Sequence, residues 1–179
     1  MAAQGLTGFY GSVFRRSITA RVLIRTTDDR VLLLRNGAYW ELPGGVVKSG
    51  EDPRSAARRS AREILDPGFD VGRVLVLEYV QGVQGQGDSI AFLFDGGTIT
   101  TSVTSFTGAG GEREARFVPL EDGGGGLAGE RLRAALQALE LGTIVELVDG
   151  QPAVPAPLAA PSDRRMMPSL EGFSGILGR

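Results

Sequence analysis

Histidine and cysteine are both absent from the 179 residues of this chain. Zinc sites of the usual kind, thiol nucleophiles, disulfides and any Ser-His-Asp arrangement are thereby excluded. Aromatic residues make up 7% of the chain and include one tryptophan. No run approaches the roughly 20 apolar residues that cross a bilayer, and the amino end lacks the basic-then-apolar order of a secretory signal. An excess of charge of one sign is also lacking: the formal net charge is -2, so neither nucleic acid nor a membrane surface is expected as a partner. A cytoplasmic protein is the expectation. The abundance of glycine, 27 residues, beside much Ala, Arg and Val suggests a bacterial coding bias.

What is present suffices for one domain with a real core, since 42% of the chain is apolar. Residues 1–16 read as an amino-terminal arm with Phe9, Tyr10 and Phe14 among glycines, residues 17–150 as the domain, and residues 151–179 as a proline-rich tail. Near the end of that tail Leu170, Phe173, Ile176 and Leu177 form an apolar group that could dock on the body or on a second subunit, so a homodimer stays open. Alternation over Ile18–Ile24 and the short apolar run Val31–Leu34 predict two strands, a β-hairpin joined by turn formers at Thr26–Asp29. Further strands are expected at Tyr39–Leu42, Val71–Val80, Ile90–Phe94, Glu112–Leu120 and Thr143–Val148. Asp95-Gly96-Gly97 reads as a hairpin turn into Thr98–Thr104. The spacing of Leu132, Leu136 and Leu139 predicts a helix over Leu127–Leu141.

The centre of the chain is WELPGGVVKSGEDPRSAARRSAREILDPGF, from Trp40 to Phe69. Pro43 fixes the entry to a turn in which Gly44 and Gly45 let the backbone approach a ligand closely. Asp52 reads as an N-cap with Pro53 at the first helical position. The helix that follows, Pro53–Leu65, carries Ala57, Ala61, Ile64 and Leu65 on a buried stripe, with Arg54, Arg58 and Arg62 on what reads as a solvated face. Trp40 reads as a core side chain, the alternative being that it stacks on a ligand base or ring.

In this stretch Gly45, Glu51, Arg59 and Glu63 fall in register with the box of the Nudix family, which the chain resembles over roughly residues 18–150. The pattern is interrupted: Ser60 and Ile64 stand where the family has glutamates, Asp66 where it has a glycine, and Lys48 where an acid is frequent. The resemblance implies an α/β (α+β) fold, an α/β/α sandwich with a mixed sheet between helices. It also implies hydrolysis of a nucleoside diphosphate-type pyrophosphate, with Mg²⁺ or Mn²⁺ as cofactor. On that reading Glu63 and Arg59 are the candidate catalytic residues, and Gly44, Gly45 and Trp40 bind substrate. Glu51, Glu63, Glu112 and Glu114 are the candidate metal ligands, with Glu78 and Asp88 in reserve. Two readings stay beside it: non-hydrolytic biosynthetic chemistry, a rearrangement or cyclisation with Glu63 as acid or base, and a ligand- or partner-binding module without turnover.

Overall fold

In a computed structural model, residues 16–82, 87–100, 105–108, 111–120 and 127–153 are described. The arm before residue 16, the tail from residue 154 and the rest of the glycine loops lie outside them, and with them the expectations placed on Phe9, Phe14 and the Leu170 group. The elements in order are β1 (Ser17–Thr26), β2 (Arg30–Asn36), β3 (Tyr39–Glu41), β4 (Gly44–Val46), α1 (Pro53–Arg62), β5 (Val74–Val80), β6 (Ser89–Ile99), β7 (Ser105–Gly108), β8 (Gly111–Pro119), α2 (Leu127–Leu141), β9 (Val145–Val148) and β10 (Gln151–Pro152).

The strands form one mixed sheet in the order β10-β9-β5-β6-β1-β2-β8-β7, with β3 on β2 and β4 on β1. The β1–β6 and β5–β9 pairs are parallel, the others antiparallel. Period-two alternation divides the side chains between two layers. Ala20, Val22, Ile24, Leu32 and Leu34 pack with Ala56, Ala57 and Ala61 of α1. Leu23, Val31, Leu33, Leu75 and Val76 pack with Leu132, Ala135 and Ala138 of α2 on the opposite face. The sheet therefore lies between two helices, the sandwich that the resemblance implied. Alanines on the buried faces of both helices let each backbone lie close to the strands.

Several boundaries differ from the periodicity; β5 begins at Val74 where Val71 was expected, and β9 at Val145 where Thr143 was expected. Helix α1 ends at Arg62 with Glu63 as its C-cap, a turn short of Leu65. Strand β6 runs unbroken through Asp95-Gly96-Gly97, where a hairpin was expected. The register against β1 slips between Leu23 and Arg25, and Gly97 has φ +67°, so the two glycines make a bulge. A side chain at Gly96 would meet Val22 and Ile24 at 2.6 and 2.7 Å. The glycine is there for close packing on β1.

Candidate active site

The turn at Pro43–Gly45 is held by β1. Strand β4 pairs with it through Thr19–Val46, Ala20–Gly45 and Arg21–Gly44. Arg21 donates to the Leu42 carbonyl at 2.8 Å and to Glu41 at 2.9 Å. The two glycines have different jobs. A β-carbon on Gly44, whose φ is +154°, would lie 2.3 Å from the Ala20 carbonyl oxygen and 2.7 Å from the Arg21 Cα. Its missing side chain thus serves the sheet. A β-carbon on Gly45 would meet nothing within 4 Å, so this is the glycine whose backbone faces open space.

Past the turn, the Asp52 carboxylate accepts from the Ser55 amide at 3.0 Å and from the Ser55 hydroxyl at 2.6 Å. With Pro53 behind it, this cap starts α1 as the sequence predicts. Those Ser55 bonds also hold the Asp52 carboxyl below the ordinary aspartate range.

Arg59, two turns into the helix, reaches back over the loop. Its Nε and Nη2 bond Oε1 and Oε2 of Glu51 at 2.9 and 3.0 Å, a two-pronged pair. Nη2 also lies 3.4 Å from the Val46 carbonyl, and Glu51 Oε2 takes the Lys48 amide at 3.0 Å. The Arg59 guanidinium, then the Lys48 amide, pull the Glu51 pKa from 4.5 down to about 2. Arg59 thus fastens the loop to the helix, with Glu51 as its anchor. Glu63 lies one turn on, 3.7 Å from Arg59 Nη1, with 38% of its side chain exposed. It is the box carboxylate with the most room to meet a ligand.

The structure gathers Glu51, Arg59 and Glu63. Glu114 goes elsewhere: alternation along β8 puts Ala115 and Phe117 against the α1 layer, hence Glu114 on the α2 face, where it pairs with Arg35 at 3.3 Å. The Glu112 side chain lies outside the described residues. Glu78, 1% exposed, is bonded by Arg131 and by the Gly150 amide at 2.9 Å. Asp88 accepts from the Tyr79 hydroxyl at 2.6 Å and the Gly82 amide at 3.1 Å, and Arg16 lies 3.5 Å away. Its hydrogen bond to Asp88 pushes the Tyr79 pKa up.

Ser60 and Ile64, which replace the family's acids, are each 8% exposed, and Ile64 packs in the core with Ala61 and Val71. Among the described residues no three acidic side chains converge on a point that could hold a metal ion. The described donors by themselves do not make up a cluster of two or three divalent cations. One cation fits, because magnesium is commonly held by one or two carboxylates with substrate phosphates as its other ligands, and Glu63 supplies one carboxylate.

One set of residues was misread from the sequence. Arg54, Arg58 and Arg62 are no idle wet face. Arg54 donates to the Val71 carbonyl at 3.0 Å and to that of Gly72, Arg58 to Asp70 at 2.7 Å, and Arg62 to the Phe69 carbonyl at 2.7 Å. Their spacing of four puts them in one row, and the segment 69–72 runs back along it. The fourfold repeat was visible; its partner was not.

Comparison with known proteins agrees with this fold. The NUDIX domain model matches residues 15–137. The chain is 30% identical over 137 residues to the CMP-5'-(N-acetyl-N-hydroxy-3-aminopropyl)phosphonate hydrolase of Streptomyces rubellomurinus, a match that covers 72% of this chain and 61% of that protein's length. Among solved structures, the MutT protein of Methanosarcina mazei superposes with TM-score 0.56 at 22% identity, over 72% of this chain and 96% of the other. An ADP-ribose pyrophosphatase of Streptococcus suis gives TM-score 0.52 at 18% identity, over 75% of this chain and 100% of the other. The fold and the loop-helix brace define the class, an α/β/α sandwich with a mixed sheet between two helices. Within it, this chain belongs to the Nudix hydrolase family. No helix among the described residues is long and apolar enough to cross a membrane.

Proposed function

We propose that the chain hydrolyses a linkage between a nucleoside monophosphate and a second phosphoryl or phosphonyl group. Family membership supports hydrolysis, and the names of the Streptomyces relative and of the pyrophosphatase neighbours support this substrate class. The observation that carries the reading is the exposed Glu63 beside an Arg59 already anchored by Glu51. Water attacks phosphorus, the bridging P–O bond breaks, and Glu63 accepts the proton of the attacking water. Arg59 keeps the loop and the helix in one body, so that the open face of Gly45 and the Glu63 carboxylate address the same ligand. A single Mg²⁺ or Mn²⁺ on Glu63 would neutralise charge on the phosphates.

The test is a panel of ADP-ribose, UDP-glucose and CDP-choline, incubated with Mg²⁺, with Mn²⁺ or with chelator, with nucleoside monophosphate release followed by chromatography. Release is expected for at least one substrate, and Glu63→Gln should lower kcat by about 10²-fold or more, the usual worth of a general base. No release from any substrate would overturn the proposal. A specific observation keeps a second reading alive: the helix face that would carry metal-binding acids carries the buried Ser60 and Ile64. It points to Glu63 as acid or base in a rearrangement or cyclisation, whose mark is an activity lost in Glu63→Gln yet indifferent to chelator.

A further inference from the structure

On the α2 face of the sheet, at the end that leads into the glycine turn, two arginines meet the chain's one tryptophan. Trp40 is cross-strand partner to Arg35, and its ring packs partly into the α2-side core. The Arg116 guanidinium lies 3.8 Å from the indole centroid, close enough for face-on stacking. Arg35 is farther, at 6.0 Å, and is tied down by Glu114 and by the Gly37 carbonyl at 3.2 Å. Arg116 is exposed, and no ion pair among the described residues includes it.

We infer that Arg116 and Trp40 form the platform for the nucleobase of the substrate, with Arg116 as its specificity-determining residue. This rests on the hydrolase reading above. A guanidinium stacked on an indole keeps its N–H donors in its own plane and its outer face in solvent. A base can lie against that face, or take its place on the indole, while its ring carbonyl or nitrogen acceptors meet the in-plane donors. The link runs along the chain and not over a shared face: Trp40, on the α2 side with Glu114, lies five residues before Gly45, Arg21 pins Glu41 and Leu42 between them, and Arg59 touches Val46 just after. Arg35, held by Glu114, sets the edge of the platform. Arg116, with no such tether, is the member that can adjust to a ligand.

Because Trp40 is the sole tryptophan, its emission reports on this platform alone. Titration of the full chain with CMP and with AMP is expected to quench it to saturation, and inorganic pyrophosphate, which has no base, is expected to leave it unchanged. Arg116→Ala should raise KM by about tenfold, within the range of one base stack, with a much smaller effect on kcat. Arg116→Lys, which keeps the charge but not the planar fork, should recover less than half of that loss on a logarithmic scale. The proposal is overturned if hydrolysis saturates while no nucleotide moves the emission, or if pyrophosphate quenches as well as CMP. Quenching by CMP without hydrolysis of any substrate would leave the platform standing and remove the hydrolase reading instead.

Discussion

At the scale of single residues, two neighbouring glycines separate what the fold needs from what a ligand needs. Gly44 sits against β1 with no space for a β-carbon, and Gly45 has nothing within 4 Å of that position. Gly44→Ala is therefore expected to cost about 1–3 kcal/mol in urea unfolding through backbone strain and displacement of β1. Gly45→Ala should stay within about 0.5–1 kcal/mol of the parent, so any loss of activity in it reads the ligand and not the fold. Glu51 supports a prediction in pH. Its pKa falls from 4.5 to about 2 in the folded chain, so below 4.5 the unfolded state binds the proton that the folded state resists. The stability contributed by this group is present above pH 4.5 and is lost as pH falls through about 2. Thermal melts across that window should fall less steeply for Glu51→Gln than for the parent, since the variant has no proton to take up there. Equal slopes would mean that the Arg59 brace does not hold in solution.

At the scale of elements, helix α1 is fastened on two sides, to the loop before it by Arg59 and to the segment after it by Arg54, Arg58 and Arg62. Hydrogen bonds from a charged donor contribute about 1.5–3 kcal/mol when shielded and less when exposed, so Arg54→Ala, at the half-buried end of the row, should cost about 1–2 kcal/mol. Amide exchange at residues 69–72 should quicken in the same variant; unchanged exchange would mean the row is decorative. The helix also decides what repair of the box would do. Ser60→Glu with Ile64→Glu would put two carboxylates where the side chains now lie in the core. A loss of several kcal/mol is expected, measured by denaturant, before any gain of activity. The periodicity of α1 announced Ala57, Ala61 and Ile64 as the buried stripe, and they are buried. It was silent on the arginine row, because a helix pattern shows which residues share a side and not what is packed there.

At the scale of the whole molecule, the sheet is joined to α2 by a charge inside the protein. Glu78 is 1% exposed and held by Arg131 of α2 and by the Gly150 amide of the β9–β10 turn. Arg131→Ala would leave that carboxylate buried beside one amide, a loss expected near 3–5 kcal/mol in denaturant unfolding, whereas replacing both partners with apolar residues should cost much less.

The same scale shows what could be read in the chain beforehand. The Asp52 cap, the alternation of the strands and the α2 periodicity are local features, each set by neighbours within about a turn or a pleat, and they were legible; the register of Gly45, Glu51, Arg59 and Glu63 was legible only through the family resemblance. Partners distant in sequence were not. Asp95-Gly96-Gly97 has the composition of a turn, but β1 lies against it and makes it a bulge. The family resemblance offered Glu114 as a metal ligand; the parity of β8 places it on the α2 face, paired with Arg35. Glu78 reads as one acid among several, until α2 folds over it. The amino-acid order alone announced most strands, both helices and the Asp52 cap, because those signals close within a few residues. Which face each acid occupies, and which arginine meets which carbonyl, only strand pairing and helix docking decided, since these join residues that no local rule relates.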